Sequence, residues 1–152
     1  MALVAPLSKY KRNSYLTWMA LCIGFGAWFA YDGYFNDKFM NKHSRDGKPD
    51  GTLVFNQKAP YVLVTVAALL GGYLLAIRNR RMVAEEKNLV IDGKISIAYD
   101  SIQKIDKTLF DSKGRFTVTY LGPNGKEIDR RISDRDYDNL SAILDHLVAK
   151  IS

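Results

Sequence analysis

Two stretches free of Lys, Arg, Asp and Glu, Asn13 to Tyr31 and Ala59 to Ile77, dominate the pattern of hydrophobic and polar positions. Each runs about 19 residues, close to the ~20 that a helix needs to cross a ~30 Å hydrocarbon core. Residues 15–31 and 60–77 are therefore predicted as transmembrane helices. The first is rich in Trp18, Phe25, Trp28 and Phe29, with Tyr15 and Tyr31 at its ends, where amphipathic rings suit headgroup depth. Trp28 and Phe29 stand where small residues would precede a cut at Ala30, so a cleaved signal peptide fits poorly. The second opens on Pro60, whose missing N–H is harmless in a first helical turn, and stops at Arg78.

Past Arg81 the period changes from helical to two. Asn88 to Ile91 precedes Asp92-Gly93, then Ile95, Ile97 and Tyr99 alternate with polar or small residues. Arg115 to Tyr120 alternates again, and Gly122-Pro123-Asn124-Gly125 turns into Glu127 to Ile132. These read as half-buried strands of an antiparallel meander joined by tight turns. Ser133 is the predicted N-cap of a final helix, with Asp134 and Asp136 in its first turn. Tyr137, Leu140, Ile143, Leu144, Leu147, Val148 and Ile151 form its apolar stripe. The predicted fold class is a membrane α-helical hairpin plus an α+β soluble domain, a small antiparallel sheet or partial barrel of about five strands capped by a C-terminal helix.

Residues 32–59 are predicted as an extracytoplasmic loop. Tyr34 to Met40 has roughly helical spacing and suits a short interfacial helix. Asp46-Gly47-Lys48-Pro49-Asp50-Gly51 is turn chemistry; it lacks the alternating acids and final Glu of a calcium loop. Thr52 to Asn56 is expected to be extended.

Charge sets the orientation. The chain carries 22 Lys and Arg against 16 Asp and Glu, for a net +6. Lys9, Lys11 and Arg12 crowd the predicted basic tail, residues 1–14, without an acid, and Arg78, Arg80 and Arg81 follow the second span. Between the spans, Lys and Arg are mixed with Asp. By the positive-inside bias both termini are expected in the cytoplasm, in a multi-pass inner-membrane protein. Arg78, Arg80 and Arg81 are the candidate lipid-headgroup contacts. No basic stripe or aromatic-studded motif marks the soluble part, which argues against nucleic acid as a partner. Cys22 is the one cysteine, so no intrachain disulfide forms.

Small residues mark where helices can approach. Ala68, Gly72 and Ala76 recur every four residues in the second span, and Ala20 and Gly24 match in the first. Either the two spans pack on each other through them, or they face another copy or another membrane protein.

Residues 81–152, with Asn88-Leu89-Val90-Ile91-Asp92-Gly93, Ile97-x-Tyr99-x-x-Ile102-x-x-Ile105, a Phe116-Thr117-Val118-Thr119-Tyr120 strand and a closing helix, resemble a bacterial pleckstrin-homology-like domain. Such domains often follow two membrane spans. The resemblance implies a cytoplasmic interaction module. The segment is short for a complete seven-stranded version, so one or two leading strands are expected to be missing or supplied by the juxtamembrane segment.

Catalytic patterns are weak. Ser101-x-x-Lys104 lies in a strand-like region without the partner motifs of serine–lysine enzymes. Gly122-x-x-Gly125-Lys126 is too short for a phosphate-binding loop. His43 and His146 make no zinc site. No cofactor is implied. The expectation is a non-enzymatic protein that tethers a scaffold domain to the membrane, its partners being lipids and a protein in the membrane or at its cytoplasmic face, with a homo-oligomer open. The alternative is an accessory subunit of a larger membrane complex, held through its helices.

Overall fold

The computed structural model describes residues 2–152. In chain order its elements are β1 (Leu3–Pro6), α1 (Lys9–Tyr34), α2 (Asp37–Lys42), β2 (Ser44–Arg45), β3 (Lys48–Pro49), α3 (Gly51–Ile77), β4 (Arg81–Ala84), β5 (Asn88–Ile91) and β6 (Ile95–Ala98). After a 3₁₀ turn come β7 (Ile102–Asp106), α4 (Phe110–Lys113), β8 (Arg115–Leu121), β9 (Glu127–Ser133) and α5 (Leu140–Ile151). This is an α+β protein with antiparallel sheets and a C-terminal helix. It divides into two compact units, one of residues 1–12 with 77–152 and the other of residues 13–76.

The first unit holds two sheets, ordered β1-β4-β5-β6 and β7-β8-β9. Alternation along each strand sends one row of side chains inward. Met82, Ala84, Leu89, Ile91 and Ile97 from the first sheet and Phe116, Val118 and Ile132 from the second join one core with Leu140, Ile143, Leu144 and Leu147 of α5. Leu140, Ile143, Leu144 and Leu147 of the predicted stripe therefore close the domain with Val148 packed beside them, while Ile151 is exposed. Turns follow their chemistry: Asp92 and Gly93 both take positive φ between β5 and β6.

Three expectations for this unit change. The predicted tail does not stay apart from the domain. Leu3–Pro6 is a strand paired antiparallel with β4, Pro6 opposite Arg81 and Leu3 opposite Ala84, and Ala5 is fully buried. Residues 81–152 thus hold six strands, and the seventh precedes α1. Ser133 is not an N-cap, because it pairs with Arg115 at the end of β9. Asn139, at φ 62°, precedes the helix instead. Residues 134–138 are drawn into ties with the segment after β1: Asp138 N–H donates to Pro6 O at 2.9 Å and Ser8 N–H to Asp136 O at 3.0 Å. Tyr137 is buried as its place in the stripe implied, but it bridges to Leu7 rather than lying in the helix.

The second unit is a pair of long helices with a short connection. Tyr15 meets Tyr73 with ring centroids 5.2 Å apart, Phe29 meets Phe55 at 5.4 Å, and the Tyr34 hydroxyl donates to Gln57 O at 2.9 Å. Partners that descend in one helix as they rise in the other define an antiparallel pair. The predicted loop 32–59 shrinks at both ends. Its first residues complete α1 and its last nine belong to α3, leaving α2 and a two-strand turn at Asp46-Gly47. Thr52 to Asn56 is helical, not extended. Asp50 caps the helix, its Oδ1 accepting from Leu53 N–H at 2.9 Å, and Leu53, Asn56 and Ala59 are buried at helical spacing. Pro60 accordingly lies inside α3 rather than in its first turn.

Candidate functional site

Among the described residues α3 alone is both long and apolar enough to cross a membrane. The expectation of two equivalent spans is thus not matched. The 26 residues of α1 suffice in length, but Asn13, Ser14, Thr17, its glycines and its tyrosines dilute its apolar character. Only 11% of the most apolar 18-residue stretch of α3 is buried. Val62, Val64, Leu69 and Leu75 are all more than half exposed, whereas a core helix would bury such residues. Along α1 the same holds for Trp18, Ile23 and Trp28.

The predicted packing residues Ala20, Gly24, Ala68, Gly72 and Ala76 are all exposed. A side chain added at Gly24 or Gly72 would meet nothing within 4 Å. The two helices meet one register over. A Cβ at Gly26 would lie 3.6 Å from Leu63 Cβ, one at Gly71 3.1 Å from the Met19 methyl, and Ala67 is buried. The closest approach is at Gly33, where a Cβ would stand 2.9 Å from both the carbonyl carbon and oxygen of Asn56. That carbonyl lies four residues before Pro60, which has no N–H to give it. Glycine lets the backbone of α1 come against this peptide, and Gln57 Nε2 donates back to Gly33 O at 3.2 Å.

Of the three predicted headgroup arginines, Arg78 and Arg81 project into solvent and only Arg80 enters a cleft. This cleft of about 150 Å³ lies within the first unit, between β9, the turn after β5 and the first turn of α1. Lys11, Arg80, Arg130 and Arg131 line it with Asp92 and Asp136, over Met82, Ile91, Ile132 and Tyr137. Lys11, Arg80 and Arg130 therefore face the two carboxylates, while Arg131, opposite Thr117, belongs to the other face of β9 with Asp106 and Asp129. Both carboxylates are engaged: Lys11 Nζ reaches Asp136 at 2.6 Å, and Asp92 accepts the Tyr137 hydroxyl at 2.9 Å while Arg80 Nε stands 3.9 Å away. Burial and the Asp92 hydrogen bond push the Tyr137 phenol well above its ordinary value, so it stays a neutral donor. Among the described residues no carboxylate lies within ion-pair distance of Arg130 or Arg131.

In the sequence Lys11 reads only as part of the basic tail and Arg130 is not singled out, yet Arg130 carries a signal. It shares a strand face with Ile128 and Ile132, opposite the fully buried Val118, although Arg130 and Ile128 are themselves exposed. A cation there interrupts the apolar row. Ser101 and Lys104 lie on a 3₁₀ turn and a strand, and Gly122 and Gly125 form a hairpin turn. Among the described residues no cluster of His, Cys, Asp and Glu could hold a metal ion. No protein-family model, no curated protein and no solved structure matches the chain.

Proposed function

We propose that the chain is a non-enzymatic integral membrane protein in which α1 and α3 form a two-span hairpin that tethers a pleckstrin-homology-like interaction domain to the cytoplasmic face. The pairing of β1 with β4 carries this reading. It ties the chain before α1 and the chain after α3 into one sheet, so the number of crossings between them must be even. If α3 crosses, α1 must cross too. The uncovered apolar surface of α3 supports its crossing. Its 27 residues rise ~40 Å, beyond a ~30 Å core, so its first turns and the exposed Lys58 extend into the headgroup region. Lys9, Lys11, Arg12, Arg78, Arg80 and Arg81 all belong to the domain side, which supports its cytoplasmic placement. Four strands plus three, closed by a C-terminal helix, agree with a seven-stranded pleckstrin-homology-like layout in which the hairpin interrupts the chain after the first strand.

The function this supports is tethering. Confinement to the membrane raises the domain's effective concentration for a membrane-associated protein. One observation favours the second reading, an accessory subunit of a larger complex. Ala68, Gly72 and Ala76 face away from α1 and leave a close-approach surface for another helix, of this chain or of another protein. Purification of wild type and Gly72→Leu from native membranes in mild detergent separates the two. A tether keeps its domain partner in both. A subunit docked through the stripe loses its membrane partner in the variant while inserting normally.

A further inference from the structure

We propose that the cleft bounded by Lys11, Arg80 and Arg130 binds a phosphate-bearing anion, with Arg130 as its principal ligand. The first observation is the misplaced charge. The residues of β9 opposite Tyr120, Val118 and Phe116 are Ile128, Arg130 and Ile132, of which only Ile132 is buried. An apolar residue at the middle position would extend the core beside Val118; arginine instead opens the sheet margin onto the cleft. The second is the charge balance. The two carboxylates are already occupied by Lys11 and Tyr137, which leaves the guanidinium group of Arg130 without an acidic partner among the described residues. The third is size. At about 150 Å³ the cleft is smaller than the ~300–1,000 Å³ of pockets for drug-sized ligands, and it suits a phosphate with a small polar substituent. Planar guanidinium forks recognise phosphate oxygens in pairs, and the neutral Tyr137 keeps the floor free of a third negative charge.

The competing account is that Arg130 only protects the exposed edge strand β9 from pairing with another chain. That account needs no ligand and predicts aggregation when the charge is lost. The phosphate could belong to a soluble metabolite or to an anionic lipid. The chemistry of the cleft stands on the first unit by itself; a lipid source rests on the proposed membrane hairpin.

The test uses full-length protein in a zwitterionic detergent, titrated with inorganic phosphate by calorimetry, and the same protein in nanodiscs of phosphatidylcholine with or without phosphatidylglycerol. Phosphate should bind saturably. Arg130→Gln should weaken it by about tenfold or more, Arg130→Lys by less, and Lys126→Gln, exposed and outside the cleft, by less than about twofold. If phosphatidylglycerol displaces phosphate in the wild type and not in Arg130→Gln, the natural anion is a lipid. If phosphate binds equally in both lipid compositions, it is a soluble phosphate compound. No saturable phosphate binding, or wild-type affinity in Arg130→Gln, overturns the proposal; Arg130→Gln that aggregates with its phosphate affinity intact favours edge protection. Alkaline extraction of native membranes reports on the hairpin separately, since a peripheral protein would be released whether or not its cleft binds phosphate.

Discussion

Pro6 and Arg81 are direct neighbours across an antiparallel ladder, although both long helices lie between them in the chain. The pair makes the segment before α1 a structural part of the domain that follows α3. Ala5 is fully buried in that domain's core, and Leu3 packs against it. The hairpin is thus an insertion within a domain, not a separate anchor that precedes it.

Residues 81–152 should therefore fold poorly alone, because β4 would be left with an open edge and the core without Ala5. Joining residues 2–12 to 77–152 through a short Gly/Ser linker should restore a soluble protein with cooperative urea unfolding. In that fusion Leu147→Ala, at a fully buried site of α5, should cost ~2–5 kcal/mol, and Phe116→Ala ~3–5 kcal/mol. A fragment of 81–152 as stable as the fusion would contradict the role given to β1.

The two helices should respond oppositely to bulk at two glycines. Gly33→Leu would drive a side chain into the Asn56 peptide and should separate the helices at that end, seen as a lengthened spin-label distance between α1 and α3. Gly72→Leu points into open space and should leave that distance unchanged. Equal behaviour of the two variants would mean that the helices meet on another face.

Tyr137 predicts an alkaline limit to stability. Its phenol is pushed up first by burial, then by its hydrogen bond to Asp92 and the carboxylate charge. A group whose folded pKa is raised contributes fully below its unfolded value, ~10 for tyrosine, and loses that contribution as pH climbs through the folded value. Denaturant unfolding at rising pH should show wild type losing more stability above pH ~10 than Tyr137→Phe. At neutral pH the variant should be ~1 kcal/mol less stable, for the lost hydrogen bond to Asp92. Parallel pH curves for the two proteins would remove Tyr137 from the alkaline response.

Much of the first unit was legible because its signals are local. Period-two runs mark β5, β6, β8 and β9, and the Leu140 to Leu147 stripe marks α5. What was not legible depends on distant partners. Leu3-Val4-Ala5-Pro6 is too short and too proline-bound to announce a strand, and becomes one because β4 offers an edge. Thr52 to Phe55 has strand-like composition, but Asp50 capping and the burial of Leu53 and Asn56 make it helix. Ser133 looks like a cap, yet its backbone is committed to Arg115. Of the candidate contacts, Arg80 was singled out by its place after the second apolar stretch, as a headgroup contact, and lines the cleft instead. Arg130 was visible only as a charge in an apolar row, and Lys11 enters the cleft through a fold no local pattern reveals.

Side-specific cysteine labelling reads out whether the chain crosses the membrane an even number of times between β1 and β4. In a Cys22→Ser background, single cysteines are introduced by Val4→Cys in β1, Lys48→Cys in the short connection and Lys150→Cys in α5, all exposed positions. Intact cells and opened membranes are then treated with a membrane-impermeant maleimide. The hairpin predicts that Val4→Cys and Lys150→Cys react only after opening, while Lys48→Cys reacts in intact cells. Labelling of all three from one side would contradict it.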